Sequence, residues 1–265
     1  MRTILHVDAN SFYASCECLY RPSIREKPVA VCGDPEARHG IVLTKNQHAK
    51  KYGVQTGEAI WQAKQKCPSL VVVPPDYPLY LHMSRQMHEI LGQYSDKVES
   101  FGLDESWVEI SADDMDVRKG QLVADEIRHR IHRTLGITVS VGVADNKVMA
   151  KLGSDYKKPD ATTHITRENF REKIWPLPVS ELLYVGRATT RKLVGMNIHT
   201  IGELAQCDPE LLRRWLGVNG LMLWRFANGD DHAPVMPRDF VAPIKSIGHG
   251  TTCVCDLDSE YAVWR

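Results

Sequence analysis

The chain has 265 residues, 43% of them hydrophobic, and is long enough for two or three compact units with buried cores. Lys plus Arg equals Asp plus Glu at 33 each, so the overall charge gives no sign of a polyanionic partner, and any surface for nucleic acid must come from local clustering. The longest apolar runs, such as Val71–Val73, are too short to span a membrane and no signal peptide is visible, so we expect a cytoplasmic protein with no membrane contact.

The first 77 residues predict one strand and then a small separate module. Thr3–Val7 is a short apolar run that Asp8 closes, and Asn10 or Ser11 is a suitable cap for a helix through Leu19. The module's other predicted elements are strands at 29–32 and 41–44, a helix at Gln47–Tyr52 that stops at Gly53, and a helix capped by Thr56 that ends before Pro68. A cluster of prolines then predicts a boundary.

The residues that follow predict one sheet with two helices. The predicted elements are a helix over residues 79–94, strands over 97–101 and 106–110 joined by a bend at 102–105, a helix over 122–135 and a strand over 137–144. With the first strand included and the inserted module set aside, the order is β-α-β-β-α-β, the ferredoxin-like split arrangement. We therefore predict the α+β class.

The ferredoxin-like order brings three acidic residues together. Its first and third strands are antiparallel neighbours, so Asp8 at the end of the first lies beside Asp104 and Glu105 at the start of the third. Three ionised carboxylates repel one another unless a cation compensates them, and oxygen ligands of this kind suit Mg2+. Two such ions, about 3.5–4 Å apart, make phosphoryl transfer the predicted reaction. Taken singly, each residue has a simpler role, Asp8 as a helix cap and Asp104 with Glu105 as bend residues.

Two further features are compatible with a bound nucleotide. Lys147, Lys151 and Lys158 are spaced to share one face of a helix, which is either a solvated surface or, as we favour beside a metal site, a contact for a triphosphate. Lys50 and Lys51 in the inserted module are candidates to close over the same phosphates from the opposite side. The ring of Tyr13 is placed to lie against a sugar, although from the residues alone a half-buried helix aromatic is the favoured interpretation.

The C-terminal third predicts a small helical domain and the start of another unit. Residues 178–204 have the pattern of two short helices, the second opening near Thr200, joined at a tight turn that Gly186 permits. Amides at such a turn can bind a phosphate without reading a base, although an ordinary helical hairpin explains the pattern equally well. Beyond the prolines of residues 234–243, Lys245–Cys255 has the pattern of a single edge strand, and the sequence stops within a starting helix, so we expect a truncated chain.

Four motifs, in order along the chain, resemble those of one enzyme family. The Y-family, or translesion, DNA polymerases of the DinB/UmuC type have a first metal motif that resembles HVDANSFYASCE and a second that resembles FGLDESWVEI. Their nucleotide-binding helix resembles VSVGVADNKVMAKLGSDYKKPD and their thumb hairpin resembles LLYVGRATTRKL. The resemblance covers essentially all of residues 1–255. It implies a palm of residues 1–10 and 78–165, fingers of 11–77 and a helix-hairpin-helix thumb of 166–236. Residues 237–265 would be a linker and the truncated start of a little finger.

The resemblance also implies roles for individual residues. Asp8, Asp104 and the backbone carbonyl of Ala9 would ligate two Mg2+ ions, for which Mn2+ is an expected substitute, and Glu105 would complete the metal and catalytic site. Tyr13 would be the steric gate against ribonucleotides. The implied nucleotide-binding residues are Phe12, Tyr13, Lys50 and Lys158, and the implied DNA-binding residues are Gly186, Arg187 and Thr189.

The activity that the resemblance implies is template-directed addition of dNTPs to a primer 3′ end, at low fidelity and past damaged bases in DNA repair. Its partners would be primer-template DNA and dNTP, with a sliding clamp as a further candidate through C-terminal sequence absent here. Lys50 stands where many members have Arg and Gln47 where many have Tyr, which predicts a weaker and less bidentate phosphate contact.

Two rival functions remain from the sequence. A catalytically silent relative that serves as a repair scaffold has no need of the acidic cluster, and the presence of all three carboxylates argues against it. A palm-type nucleotide cyclase uses similar metals on a similar sheet but has no reason to carry the thumb hairpin. Primer extension with Mg2+ separates these functions from a polymerase.

Overall fold

The computed structural model describes residues 2–34, 40–110, 117–248, 250, 253 and 255–263, and the chain divides into two compact units. The larger unit is Met1–Asn10 with Ser84–Phe240, and the smaller is Ser11–Met83 with Val241–Arg265. The strands are β1 (Thr3–Ala9), β2 (Val29–Cys32), β3 (Val42–Lys45), β4 (Val71–Val73), β5 (Val98–Ser100), β6 (Glu105–Ile110), β7 (Val139–Ala144) and β8 (Thr162–His164). The α-helices are α1 (Phe12–Tyr20), α2 (Gln47–Lys51), α3 (Ile60–Lys66), α4 (Tyr77–Leu91), α5 (Val117–Leu135), α6 (Lys147–Tyr156), α7 (Phe170–Ile174), α8 (Arg187–Gly195), α9 (Ile201–Ala205), α10 (Pro209–Leu216), α11 (Val218–Ala227) and α12 (Glu260–Val263).

The sheet of the larger unit has the strand order β5-β6-β1-β7-β8. β1 is antiparallel to both β6 and β7, β5 is antiparallel to β6, and β8 joins in parallel beside β7. Without β8, this spatial order and the chain order β1, α4, β5, β6, α5, β7 are those of a ferredoxin-like sheet. The predicted α+β class and split topology are confirmed. The sequence does not predict β8, because its three residues are too few to show a period.

Close contact between a helix and the sheet brings functional side chains to the sheet face. β1 and β7 lie in the interior of the sheet and are buried along their whole length. α6 crosses β7 so closely that a Cβ atom at Gly142 would lie 1.8 Å from the Ala150 carbonyl oxygen and 2.4 Å from the Ser154 nitrogen. Glycine is required here because of space, and its presence lets α6 place side chains against β1 and β7.

The smaller unit contains a three-stranded sheet in the order β3-β2-β4, with β2 antiparallel to β3 and parallel to β4. The sequence does not predict β4, because the extended state of three valines depends on pairing with β2. The prediction that Thr56 caps a helix is wrong. α3 begins only after Ala59, because the preceding residues form a turn in which Gly57, with φ 85°, donates its N–H to the Val42 carbonyl at 2.8 Å.

A helical part of the larger unit contains α7 to α11. Thr200 begins α9 as predicted, through a capping box in which its hydroxyl accepts from the Glu203 N–H and the Glu203 carboxylate accepts from the Thr200 N–H. The backbone at Gly186 is extended, with φ −83° and ψ 177°, whereas Tyr184 has the left-handed φ of 69°. The prediction that glycine permits the turn at Gly186 is therefore wrong, since no left-handed conformation occurs there.

The C-terminal residues contain one of the two elements that the sequence predicts. Of the predicted strand Lys245–Cys255, the described residues 245–248, 250, 253 and 255 form no strand, since a lone edge strand has no partner with which to pair. α12 lies where the sequence predicts a starting helix. Among the described residues, no helix combines the length and the apolar character that crossing a membrane requires.

Gly142→Ala tests the close approach of α6 to the sheet. The added methyl group has no room beside backbone atoms, so we expect the free energy of unfolding to fall by at least about 2 kcal/mol in chemical denaturation. Gly195→Ala is the matched control, because a Cβ there meets nothing within 4 Å. It should leave stability unchanged or raise it by about 1 kcal/mol at most. Equal stability of the two variants would contradict this packing.

Candidate functional site

The pairing of β1 with β6 sets the positions of the predicted acidic residues. In the antiparallel register Asp8 lies directly opposite Glu105. Just beyond the strand pair, the Ala9 N–H donates to the Asp104 carbonyl at 2.9 Å. The predicted convergence of the end of the first strand with the start of the third is confirmed. Whether these residues bind metal remains a prediction.

The tightest group of potential ligands includes a histidine that the sequence analysis does not predict. One ligand atom each from His6, Asp8 and Glu105 lies within 4.8 Å of the others. His6 precedes Asp8 by two residues on β1, so both side chains lie on the same face of the sheet. Asp104 is outside this group among the described residues, because β6 begins at Glu105 and Asp104 belongs to the preceding bend. The period of two along the first strand is the signal that identifies His6.

Both ring nitrogens of His6 face polar groups. The ring is fully buried, with Nδ1 2.8 Å from the Ser154 hydroxyl oxygen. That hydroxyl also donates to the Lys151 carbonyl at 2.7 Å. Nε2 faces the Glu105 carboxylate at 3.3 Å. Burial lowers the pKa of His6 despite this carboxylate.

Two lysines contact the carboxylates directly. Lys158 Nζ lies 2.6 Å from an Asp8 carboxylate oxygen. Lys151 Nζ lies 2.7 Å from Glu105 and 3.6 Å from Asp8. Both ammonium groups also contact Asp155, at 2.8 Å from Lys158 and 3.5 Å from Lys151. The two ammonium groups therefore offset part of the negative charge of these carboxylates.

The prediction that Lys147, Lys151 and Lys158 share one face of a helix is wrong in two respects. Lys147 points elsewhere, with its ammonium 2.6 Å from Glu99 and 4.3 Å from the centroid of the Trp107 ring. Lys158 lies beyond the C-terminal end of α6, so helical spacing does not determine its position. Lys151 and Lys158 reach the site by different routes, one from the helix and one from the segment after it.

The two facing carboxyl groups differ in acidity. Burial raises the pKa of Asp8 to about 6, and the negative charge of Glu105 adds to this while Lys158 opposes it. Burial also disfavours ionisation of Glu105, but contacts with His6 and Lys151 hold its pKa at about 2. Burial and the charge of Glu105 raise the pKa of Asp104. Oxygen ligands whose negative charges oppose one another in this way fit a hard divalent cation.

The residues implied for nucleotide contact lie partly in the other unit. Phe12 and Tyr13 are on α1 and Lys50 is exposed on α2, all in the smaller unit, whereas Lys158 belongs to the larger. Phe12 is buried, and Tyr13 is partly buried with its ring stacked on that of Tyr80. Their roles toward a nucleotide remain predictions.

The residues implied for DNA contact lie at the start of α8. Gly186 and Arg187 are exposed, and Thr189 is partly buried. Thr189 also lines an open cleft of about 600 Å3 between α8, α10 and α11, together with Tyr184, Lys192 and Trp215 among others. This cleft contains none of the site carboxylates, and its function is not assigned by the sequence motifs.

A match to a family model shows to which family this chain is related. Residues 7–155, more than half of the chain, match the impB/mucB/samB family. The chain belongs to this family. The matched range contains the carboxylates of the site and Lys151, whereas Lys158 follows three residues after its end.

The named relatives of this chain agree with the resemblance that the motifs indicate. It is 57% identical over 259 residues to DNA polymerase IV of Acetivibrio thermocellus, covering 98% of this chain and 65% of that protein. It is 43% identical over 259 residues to DNA polymerase IV 1 of Bacillus subtilis, covering 98% of this chain and 62% of that protein. The chain therefore spans less than two thirds of the length of these curated relatives.

Solved structures of the family share the fold. The crystal structure of DinB from Sulfolobus solfataricus matches with a TM-score of 0.80 and 28% identity, covering 88% of this chain and 69% of that one. The insertion ternary complex of Dbh DNA polymerase matches with a TM-score of 0.81 and 27% identity, over 88% and 69% of the two chains. The resemblance to DinB-type Y-family polymerases and the palm, fingers and thumb architecture are confirmed.

Asp8→Asn should change how stability depends on pH. The folded pKa of Asp8, about 6, lies above its ordinary value of 3.8, so the folded state binds this proton more tightly than the unfolded state. The stabilisation from protonated Asp8 is fully present below about pH 4 and is lost as pH rises through 6, by up to about 3 kcal/mol. Denaturation in EDTA from pH 4.5 to 7 should show the wild type losing stability relative to Asp8→Asn.

Other groups do not obscure this measurement. The depressed pKa of Glu105 acts in the opposite direction, with stability lost only as pH falls below 4.5 toward 2. His6 is present in both the wild type and the variant, so its titration contributes to both stability curves. Asp125→Asn is the matched control, since this aspartate pairs with Arg128 at 2.8 Å outside the site. Parallel stability curves for wild type and Asp8→Asn would contradict the raised pKa.

Proposed function

We propose that this chain is the catalytic core of a template-directed DNA polymerase that adds dNTPs to a primer 3′ end, at low fidelity and past damaged bases. The observation that carries the proposal is Asp8 directly opposite Glu105 on a ferredoxin-like sheet, with Asp104 in the adjoining bend. This arrangement lies within the range that matches the family, and the relatives are named DNA polymerase IV. It supports metal-assisted phosphoryl transfer as the reaction.

Asp8, Asp104 and the Ala9 carbonyl would hold two divalent ions, with Glu105 completing the site. Mg2+ is the proposed ion and Mn2+ the proposed substitute, because all of these ligands are oxygen atoms. When bound, such a pair activates the attacking primer hydroxyl and stabilises the leaving pyrophosphate. Lys151 and Lys158 present ammonium groups at the same place, where triphosphate oxygens offer them alternative anionic partners.

The remaining contacts divide between the two units. In the smaller unit, Tyr13 would exclude the 2′-hydroxyl of a ribonucleotide, Phe12 would contact the nucleotide and Lys50 would face its triphosphate. In the larger unit, the first residues of α8 would bind the DNA backbone through amides that read no base. The implied DNA-binding residues at this position are Gly186, Arg187 and Thr189.

The partners and boundaries are part of the proposal. Primer-template DNA and dNTP are the proposed substrates, which is supported by the likeness to a polymerase structure described as an insertion ternary complex. A sliding clamp is a candidate partner of the longer relatives' C-terminal region. We retain the palm of residues 1–10 and 78–165, the fingers of 11–77 and the thumb of 166–236 as proposed boundaries, and a cytoplasmic location as a proposal.

Asp104→Ala should abolish primer extension. Because several kcal/mol of transition-state stabilisation depend on the metal ions, we expect single-nucleotide insertion with Mg2+ to fall by at least about 100-fold. Asp125→Ala is the matched control and should retain insertion, since its carboxylate pairs with Arg128 away from the site. Unchanged insertion by Asp104→Ala would reject the metal role. A wild-type chain with no insertion would indicate a silent scaffold, and cyclic nucleotide formed without a primer would indicate a cyclase.

Tyr13→Ala should increase ribonucleotide use. Removing the ring removes the steric obstacle to a 2′-hydroxyl, so the preference for dNTP over rNTP should fall by about 10-fold or more in single-nucleotide insertion. Tyr20→Ala serves as a control from the same helix, because its side chain is exposed to solvent. Unaltered sugar preference in Tyr13→Ala would reject the gate role while leaving the polymerase assignment intact.

A further inference from the structure

A buried carboxylate in the smaller unit holds an aromatic ring against Tyr13. Tyr13 and Glu17 lie one turn apart on α1, and Tyr80 on α4 contacts both. The rings of Tyr13 and Tyr80 are parallel within 7°, with centroids 4.1 Å apart. The Tyr80 hydroxyl donates to a Glu17 carboxylate oxygen at 2.6 Å. We call Glu17 and Tyr80 together the Tyr13 support.

The support is buried and its polar groups are paired. Tyr80 is 0% exposed and Glu17 is 1% exposed. A carboxylate in such a place is costly unless each oxygen has a partner, and the second oxygen of Glu17 lies 3.3 Å from Arg21. Burial, and then the hydrogen bond to Glu17, raises the pKa of Tyr80, so its hydroxyl keeps the proton that it donates. The hydrogen bond is therefore maintained throughout the neutral pH range.

The hydrogen bond restrains a movement that stacking alone allows. Two stacked rings can slide and tilt with little change in energy, because aromatic contacts tolerate many offsets. A hydrogen bond to a charged acceptor is directional and roughly twice as strong as one between neutral groups, so it fixes the far end of the Tyr80 ring. With its hydroxyl held by Glu17, the ring of Tyr80 is a rigid surface against which the Tyr13 ring lies.

The other aromatic contacts of Tyr13 provide less restraint. Tyr77 meets its ring edge-on, with centroids 6.1 Å apart, and is itself 49% exposed. Phe12 meets it at a tilt of 50° and a centroid distance of 5.8 Å. Neither ring is parallel to Tyr13, so within this cluster the plane of Tyr13 is set by Tyr80.

We propose that Glu17, acting through Tyr80, is a positioning residue for sugar selection. By fixing the Tyr80 ring, Glu17 prevents the Tyr13 ring from moving away from a ribose 2′-hydroxyl. A ring that can move rejects a ribonucleotide less strongly than one that is held, because steric rejection depends on the obstacle remaining in place. This inference rests on the proposed function, in which Tyr13 is the steric gate.

Tyr80→Phe tests the proposal, because it removes the hydroxyl and keeps the stacked ring. The measurement is kcat/KM for insertion of a dNTP and of the matching rNTP on one primer-template, and the readout is their ratio. Loss of one hydrogen bond to a charged group should reduce the dNTP preference about 5-fold or more, with dNTP insertion changed by no more than about 2-fold. A role in folding alone would change both sugars equally.

Tyr94→Phe is the matched control. It also removes a tyrosine hydroxyl that donates to a glutamate, Glu126, at 2.9 Å, but in the larger unit. The dNTP preference should be unchanged in this variant. A fall equal to that of Tyr80→Phe would overturn the proposal, because the effect would then not depend on the ring that contacts Tyr13.

Glu17→Gln provides a second test that does not depend on the stability of Tyr80→Phe. The amide oxygen still accepts from Tyr80 but carries no charge, so the dNTP preference should fall by less than in Tyr80→Phe. Folded variants with an unchanged preference, or with equal losses for both sugars, would overturn the positioning role and leave the proposed polymerase standing. A wild-type chain that inserts neither nucleotide would instead overturn the proposed function, and this inference with it.

Discussion

Asp8 lies on an interior strand with only 6% of its side chain exposed, where an ionised carboxylate loses most of its hydration. Glu105 faces it in the neighbouring strand, so two negative charges share one poorly hydrated position. Lys151 and Lys158 balance them at contact distance. Lys151 reaches this position because α6 lies directly on β7, which the absence of a side chain at Gly142 allows. The close packing of α6 on β7 therefore places one of the countercharges that the buried carboxylates need.

The smaller unit balances its buried carboxylate differently. The Tyr80 hydroxyl contacts one oxygen of Glu17, and Arg21 contacts the other. Among the residues that the structure describes, no group of three potential metal ligands includes Glu17, and its contacts with Tyr80 and Arg21 restrain the side chain. In the larger unit, by contrast, the facing carboxylates share two lysines. Another cation could take the place of a lysine beside Asp8.

The sequence predicts those features of the fold and site that depend on order along the chain. The ferredoxin-like order of strands is enough to predict that Asp8 lies next to Glu105, because strand pairing alone sets their positions. It does not reveal the direction of a long flexible side chain, and Lys147 accordingly pairs with Glu99 rather than with the site. His6 is not predicted, although the alternation of side chains along β1 places it on the same face as Asp8. β4 and the start of α3 are missed because tertiary pairing, rather than local propensity, determines them.

The two lysines of the site are not equivalent, and the difference bears on which one contacts a nucleotide. Lys151 is 15% exposed, belongs to α6, and has three carboxylates within 3.6 Å, so it is held as a fixed countercharge. Lys158 is 27% exposed, lies beyond the end of α6, and forms ion pairs with Asp8 and Asp155. If another cation took the place of Lys158 at Asp8, Lys158 would lose one of its two carboxylate partners and could pair with a phosphate. Lys151 would keep two of its three carboxylate partners. The contacts therefore favour Lys158 as the lysine that exchanges partners, in agreement with its implied role in nucleotide binding. They favour Lys151 as the lysine that stays beside Glu105, whose pKa it lowers together with His6.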